Sequence, residues 1–423
     1  MMNRVSPITI RSVIPNLRHR VMPKKISPAL TIMSCLLLWA IGDQLWSALA
    51  WGHDSFQLTE WLINYSGGFV RRGLAGTMIG IAASLTGIQA NYLTIGLSTA
   101  CYLILGVWYL RRSTRTFPAI LILSCIVIGF PAYQDSIVRK DCLGLLLLLA
   151  CLKIDHSRLP RHFAIAAINL IAVAAILCHE SFMFFGLPAL VFYGPRDASP
   201  WSVKQLLRRG LALLPAVLCC ACVAVFHGTP RIAEAVNASW LPLWRTLDPG
   251  NPQIQHASAA IQALGWSSQQ GLSLGITLLT SGIYQPLAWA TVFGISFVLF
   301  LIFTGRTEER SLEVKARVTA LLVAQFLFIS PLFLLGFDYG RWLFFWVAST
   351  VMIETEQQVA PRWLVASVER LFAKARIAIF LTRIPAKDWY LLFFGVPVCW
   401  NIHNFMVASP ICRHLYLIWM SLK

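Results

Sequence analysis

Residues 67–76 read GGFVRRGLAG, which sets Arg71 and Arg72 side by side between glycines. Guanidinium groups grip phosphate oxygens through paired hydrogen bonds and never lose their charge. Gly67, Gly68 and Gly73 let backbone N–H groups come close to the same anion. A helix beginning near Leu74 would aim its positive end at it. The stretch therefore reads as a seat for a phosphate-bearing group. The competing reading is that the two arginines only anchor a helix end by snorkelling.

Four other stretches carry residues of the same kind: GHDSFQLTEW with His53, Asp54 and Glu60; QDSIVRKD with Asp135, Arg139, Lys140 and Asp141; CHES with His179 and Glu180; GFDYGRW with Asp338 and Arg341. A carboxylate among them could deprotonate an acceptor hydroxyl, or hold a metal that assists departure of a diphosphate. Asp54, on a polar loop just after the first apolar run, is the favoured base; Glu180, beside His179, is its rival. Arg139, Lys140 and Arg341 would complete the anionic pocket, supported by Asp141 and Asp338. Each cluster also has a bland reading. Arg139–Asp141 could be a solvated helix start with an internal pair, and His179–Glu180 a satisfied pair between helices. Asp338 and Arg341, three apart, could bridge each other on a helix turn. Asp43 lies inside the first apolar run, where a charge costs about 2.5–3.5 kcal/mol on insertion scales, so it must be neutral, paired or facing a cavity.

The elements that must position these residues are membrane helices. Of 423 residues, 57% are hydrophobic and 13% charged, against about 25% charged in soluble domains. Apolar runs long enough to cross a bilayer recur along the chain. An all-α, polytopic transmembrane bundle follows, and the continuous rather than alternating apolarity excludes a β-barrel. The net charge of +17 belongs to helix orientation rather than to nucleic acid. The 11 cysteines lie mainly in apolar runs, and CCAC at 219–222 lacks the paired spacing of a zinc site. No cofactor is expected; a divalent metal stays open, without support from the motif.

The first run, Pro28 to Trp51, is too long for a signal core despite ALA at 48–50. Ten further candidate spans, about 91–110, 117–133, 141–152, 162–178, 181–193, 209–226, 286–304, 316–336, 341–353 and 388–407, bring the expected total to about eleven. Residues 74–89 are short and glycine-rich, and read as re-entrant or interfacial. With that parity, 26 of the 35 Lys and Arg residues fall on one face, as the positive-inside rule requires. Every polar cluster named above then falls on the other, extracytoplasmic face. The chain divides into a basic cytoplasmic tail, 1–28; a bundle, 29–353, with outer loops 52–73 and 227–285; a cytoplasmic segment, 354–387; and a last span with its tail, 388–423. Within 354–387, residues 363–381 set Leu364, Val368, Leu371, Phe372, Ala375 and Ile379 against Arg370, Lys374 and Arg376, a basic amphipathic surface helix. No internal repeat supports an inverted-repeat transporter.

A first helix, an outer loop with the early acid Asp54, and GGFVRRGLAG together resemble bacterial polytopic proteins of envelope-polysaccharide assembly. The layout is similar to C-type glycosyltransferases, whose first outer loop carries a catalytic acid, and to O-antigen and exopolysaccharide polymerases, which hold a lipid diphosphate-linked glycan with outer-face arginines. The resemblance implies an inner-membrane glycosyltransferase or glycan polymerase with a polyprenyl-linked donor, acting beside other assembly proteins. It departs in two places. His53, not a second acid, precedes Asp54, and the 227–285 loop has only Arg231 and Arg245. Trp240, Trp244 and Trp266 in that loop could stack on an acceptor glycan or act as interfacial anchors. The alternatives are a non-enzymatic transporter or flippase of lipid-linked sugars, and a structural envelope protein.

Overall fold

The computed structural model describes residues 27–195, 202–266, 268–280, 285–304, 311–336, 338–374, 384–398 and 408–422. The basic tail through residue 26, residues 375–383 of the amphipathic segment and residues 399–407 of the last expected span lie outside them.

The first half of the chain runs through α1 (Pro28–Ala48), α2 (Phe56–Leu62), α3 (Gly73–Thr86), α4 (Ala90–Arg112), α5 (Ala119–Leu123), α6 (Gly129–Tyr133), α7 (Asp141–Asp155) and α8 (Arg161–Cys178). Local chemistry sets several of these ends. Ser27 accepts the N–H of Leu30 and Pro28 fills the first turn, so α1 starts there. Arg111 and Arg112 close α4, where cations suit the negative end of the helix dipole. The short α9 (Phe182–Phe185) and α10 (Leu187–Phe192) follow, then α11 (Val203–Ala212) and α12 (Leu214–Val225), which meet at a 66° bend.

The second half contains α13 (Pro230–Ser239), α14 (Leu241–Leu247), α15 (Ala259–Gln262), α16 (Ser268–Thr280), α17 (Pro286–Phe303), α18 (Ser311–Ile329), α19 (Leu332–Leu335), α20 (Tyr339–Thr355), α21 (Arg362–Lys374), α22 (Trp389–Phe393) and α23 (Pro410–Ser421). A two-stranded antiparallel ribbon joins β1 (Gly194–Pro195) to β2 (Gln358–Val359), with Gly194 opposite Val359.

Among the described residues, five helical segments are long and apolar enough to cross a membrane, or six if the bent α11–α12 pair is one span. Two of the other expected crossings are built differently. Residues 117–133 hold two five-residue helices, α5 and α6, almost wholly buried. Residues 341–353 lie in α20, which is buried on every face from Gly340 to Glu354. The α3 helix has 14 residues, about 21 Å at 1.5 Å per residue, short of a ~30 Å hydrocarbon core.

The described residues form two apolar cores. The larger gathers the bundle around α20. The smaller joins α2 and α3 to α13, α14 and α15, so the two stretches expected as separate loops, 52–73 and 227–285, form one cap. Polar contacts stitch it: His53 Nε2 lies 2.8 Å from the His256 carbonyl, the Trp240 indole donates to the Leu62 carbonyl at 2.7 Å, and the Ala260 N–H donates to Thr59 Oγ1 at 3.2 Å. Gly76 makes the α2–α3 approach possible, since a Cβ there would lie 2.1 Å from the Ile63 carbonyl oxygen.

Packing of α21 differs in detail from the expected amphipathic pattern. Val368 and Phe372 are buried, while Leu371 is exposed. Asp43, the charge inside α1, is paired: Arg413 of α23 stands 3.6 Å from it and also holds Asp135 at 2.6 Å.

Candidate functional site

Two helices run side by side from the same end of the bundle. At their starts Arg341 of α20 donates to Asp141 of α7 through Nε at 2.8 Å and Nη2 at 2.6 Å. At their far ends Lys153 holds Glu356 at 3.0 Å, and His156 meets Gln358 at 2.8 Å. The α7–α20 starts, the α2–α3 junction and the Cys178–Ser181 turn converge on one charged knot.

Glu60 is its centre. Ser55 caps α2, accepting the Leu58 N–H, and the next turn sets Glu60 fully buried between Thr59 and Trp61. His179 Nε2 lies 2.9 Å from Glu60 Oε1, Arg72 Nη1 3.4 Å and Arg341 Nη2 3.9 Å. Burial alone would raise this carboxyl; the His179 hydrogen bond and the charge of Arg341 outweigh it and hold Glu60 well below the usual carboxylate range.

Arg72 sits at the N-cap of α3 with φ of 65°, a left-handed conformation that costs a side-chain-bearing residue about 1–2 kcal/mol. Its Nε donates to Glu180 at 2.7 Å and its Nη2 makes a second bond to the same carboxylate. Burial opposes its charge, but Glu180 outweighs burial and raises Arg72 above its ordinary value. Glu180 is held low in return: burial raises it, and Arg72 overrides that. Arg71 lies beside the pair, 3.8 Å from Glu180, and donates to the Ala263 carbonyl at 3.3 Å.

Asp338 completes the knot. It accepts from Arg139 at 3.2 Å and bonds Arg341 three residues on, the helix-turn bridge expected of that spacing. Burial raises the Asp338 carboxyl, and Arg139 and Arg341 override it, so it too is held low. Arg139 also stands over the Phe56 ring at 5.1 Å. Lys140 plays another part. Its Nζ donates to the backbone carbonyls of Arg72 at 3.3 Å and Cys178 at 3.2 Å, so it ties the turns that carry the site. Burial pushes its ammonium down to about 8, against the opposing pull of Glu60.

Eight of the expected residues thus come together: Arg71, Arg72, Arg139, Lys140, Asp141, His179, Glu180 and Arg341, with Asp338 beside them. Asp54 does not join them. It is 74% exposed, and its contact is with His53, 3.2 Å away. The glycines differ from expectation as well. Space beside Gly67 and Gly73 is filled by Ile232 and by the Tyr65 ring, while Gly68, at φ of 113°, is open. Trp244 is fully buried and meets His53 edge-on, so it is no stacking platform; Trp266 is exposed.

Glu60 was visible in the sequence only as part of a motif. The signal that singles it out is a lone acid in the apolar run QLTEWLI, since a buried charge must be paired. Three polar atoms of the knot are buried without a partner among the described residues: Glu60 Oε2, Arg71 Nε and Arg139 Nε. One is an acceptor and two are cationic donors, a set that suits a ligand bearing both a hydroxyl and an anionic group. Among the described residues no three His, Cys, Asp or Glu side chains are grouped to hold a metal. No family model matches the chain, and neither a curated protein nor a solved structure matches it.

Proposed function

We propose that the chain is a bacterial inner-membrane glycosyltransferase or glycan polymerase that uses a polyprenyl phosphate- or diphosphate-linked sugar at the extracytoplasmic face. The observation that carries this reading is the buried Oε2 of Glu60, without a partner among the described residues, on a carboxylate flanked by Arg72 and Arg341. In this reading the N-terminus is cytoplasmic, α3 lies in the interface rather than crossing, and about eleven segments enter the membrane.

The chemistry follows from the ion pairs. An acceptor hydroxyl attacks the anomeric carbon, and the bond from that carbon to the phosphate oxygen breaks. The phosphate leaves with its charge facing Arg71, Arg72 and Arg139. The hydroxyl proton passes to Glu60 Oε2. Glu60 is a weak base while Arg72 and Arg341 hold it low. Phosphate binding draws those guanidinium charges to itself, which raises the carboxyl and fits it to accept a proton. Glu60 thereby takes the role the sequence suggested for Asp54, with His179 and Glu180 as its supports.

A second reading, a structural or transport protein, is favoured by one feature: Glu180, Asp141 and Asp338 each pair with an arginine of the chain itself. The two readings separate in a mass profile of lipid-linked and polymeric glycans from cells lacking the gene, complemented with wild type or Glu60→Gln. The enzymatic reading expects the variant to behave as the deletion does. Single repeat units would accumulate for a polymerase, and a repeat unit one sugar short for a transferase. A normal glycan profile with Glu60→Gln removes the enzymatic reading.

A further inference from the structure

Between α10 and the outer cap the chain folds as α11 and α12, and the bend between them is fixed by named groups. Ser202 opens α11: its Oγ accepts the Gln205 N–H at 3.2 Å, and Gln205 Oε1 accepts the Ser202 N–H at 3.1 Å. Pro215, in the first turn of α12, has no N–H to give the Leu211 carbonyl and cannot continue a straight helix. Asn169 of α8 stitches the break. Its Nδ2 donates to the Ala212 carbonyl at 2.8 Å, and its Oδ1 accepts the Ala216 N–H at 3.4 Å. The two axes meet at 66°. The ten residues of α11, about 15 Å long, therefore run about 14 Å across the direction of α12 and climb only about 6 Å along it.

The two sides of α11 differ. Arg209 binds the helix to the bundle, donating to the Tyr193 carbonyl and standing 3.3 Å from Asp155, which also holds Arg161 of α8 at 2.6 Å. Asp155 closes α7, whose start carries Asp141, so this end of the bundle is the one remote from Glu60. On the side away from Arg209, Val203, Leu207 and Leu211 recur at i, i+4 and i+8 and are 73%, 63% and 70% exposed. The exposed apolar surface continues onto α12 through Leu214 and Leu218. Together α11 and α12 are long and apolar enough to cross a membrane. Lys204 and Arg208 flank the stripe, each next in sequence to one of its members. Both are exposed, and neither has an ion-pair partner among the described residues.

We infer that α11 is an interfacial helix that recognises anionic phospholipid headgroups, with Val203, Leu207 and Leu211 in the acyl region and Lys204 and Arg208 at the phosphates. Continuity selects lipid over a protein partner. The stripe prolongs the exposed apolar side of α12, and the fixed bend lays it along the bilayer boundary instead of across it. Charge selects the headgroup. Long cationic side chains beside such a stripe reach outward to phosphate level, and a basic amphipathic helix gains affinity from anionic lipid. Arg209 takes no part in this contact; its bonds to Tyr193 and Asp155 keep the helix from rolling. The surface shares no residue with the Glu60 knot, and it requires only that the apolar helices sit in a bilayer.

The test is hydrogen–deuterium exchange, read by mass spectrometry, on the full chain in nanodiscs of dioleoyl phosphatidylcholine or of its equal mixture with dioleoyl phosphatidylglycerol. One cation at an anionic surface is worth about fivefold, so the amides of 203–212 should exchange about twentyfold more slowly in the mixed discs. Lys204→Gln/Arg208→Gln should lose that difference while exchange in α4 and the thermal midpoint stay as in wild type. Leu207→Glu should speed α11 exchange in both discs. Equal exchange of wild type in the two discs overturns the proposal, as does an undiminished difference in the double variant or no effect of Leu207→Glu. Protection that grows as the chain is concentrated in detergent assigns the stripe to a second copy and overturns it as well.

Discussion

His179 is fixed as a single tautomer by two contacts: the Ser181 N–H donates to its Nδ1 at 3.1 Å, and its Nε2 faces Glu60 Oε1 at 2.9 Å. Burial and the nearby Arg72 depress its basicity, so the ring is neutral at physiological pH. With Nδ1 occupied as an acceptor, the proton lies on Nε2 and is donated to Glu60. One carboxylate oxygen is thereby committed, and the other, Oε2, has no partner among the described residues.

Glu60→Gln keeps the shape and an acceptor for His179 while removing the charge. Transfer activity is expected to fall about 10²–10⁴-fold, the usual worth of a positioned base. Asp54→Asn, at an exposed side chain, is expected to retain most of it. Complementation followed by glycan mass profiling checks both, and the reverse order of effects would return the catalytic role to Asp54.

Arg341→Met strands the buried Asp141 and leaves Asp338 to Arg139. Breaking such a pair costs about 3–5 kcal/mol, so the purified protein should melt well below wild type. Arg71→Ala should shift the melting midpoint far less. Arg71 is only 3.8 Å from Glu180, and its Nε already lacks a partner among the described residues. Thermal unfolding of both variants in one detergent gives the comparison.

Lys140 gives a pH signature. Its ammonium is pushed by burial to about 8 from an ordinary 10.5. Between those values the unfolded chain holds more protons than the folded one, so stability from this group rises with pH. Melting midpoints at steps from pH 7.5 to 9.5 should show that rise in wild type. Lys140→Arg stays charged and should lose it; an identical profile in the two would contradict the buried, depressed ammonium.

Gly76→Ala presses a Cβ against the Ile63 carbonyl at the α2–α3 crossing. The expected cost is about 1–3 kcal/mol, typical of overpacking. Because α2 carries Glu60 and α3 begins at Arg72, activity should fall along with the melting midpoint. A variant with unchanged stability would mean that the two helices can separate without harm.

Much of the site was legible because charge is scarce in an apolar chain, so each cluster stands out. Arg71, Arg72, Arg139, Arg341, His179 and Glu180 could be grouped from motif and parity alone. Their pairing could not. Asp141 and Arg341 are 200 residues apart, and no local pattern links them. Asp54 and Glu60 share a loop, and only burial distinguishes the exposed acid from the enclosed one. Trp244 differs from expectation for a similar reason. The 52–73 and 227–285 loops bury Trp244 against His53 by packing on each other, a long-range event that composition does not announce. Hydropathy did not show what form the segments at α5, α6 and α20 would take. Their apolarity reflects burial inside protein, which periodicity cannot separate from burial in lipid.

The most direct measurement is the melting shift of the purified chain on adding a polyprenyl diphosphate, with the matching polyprenyl alcohol as control. The account expects the diphosphate to stabilise wild type and the alcohol to do little, with Arg71→Ala losing most of the difference. Equal shifts from diphosphate and alcohol, or an undiminished difference in Arg71→Ala, would contradict a phosphate site at the Glu60 knot.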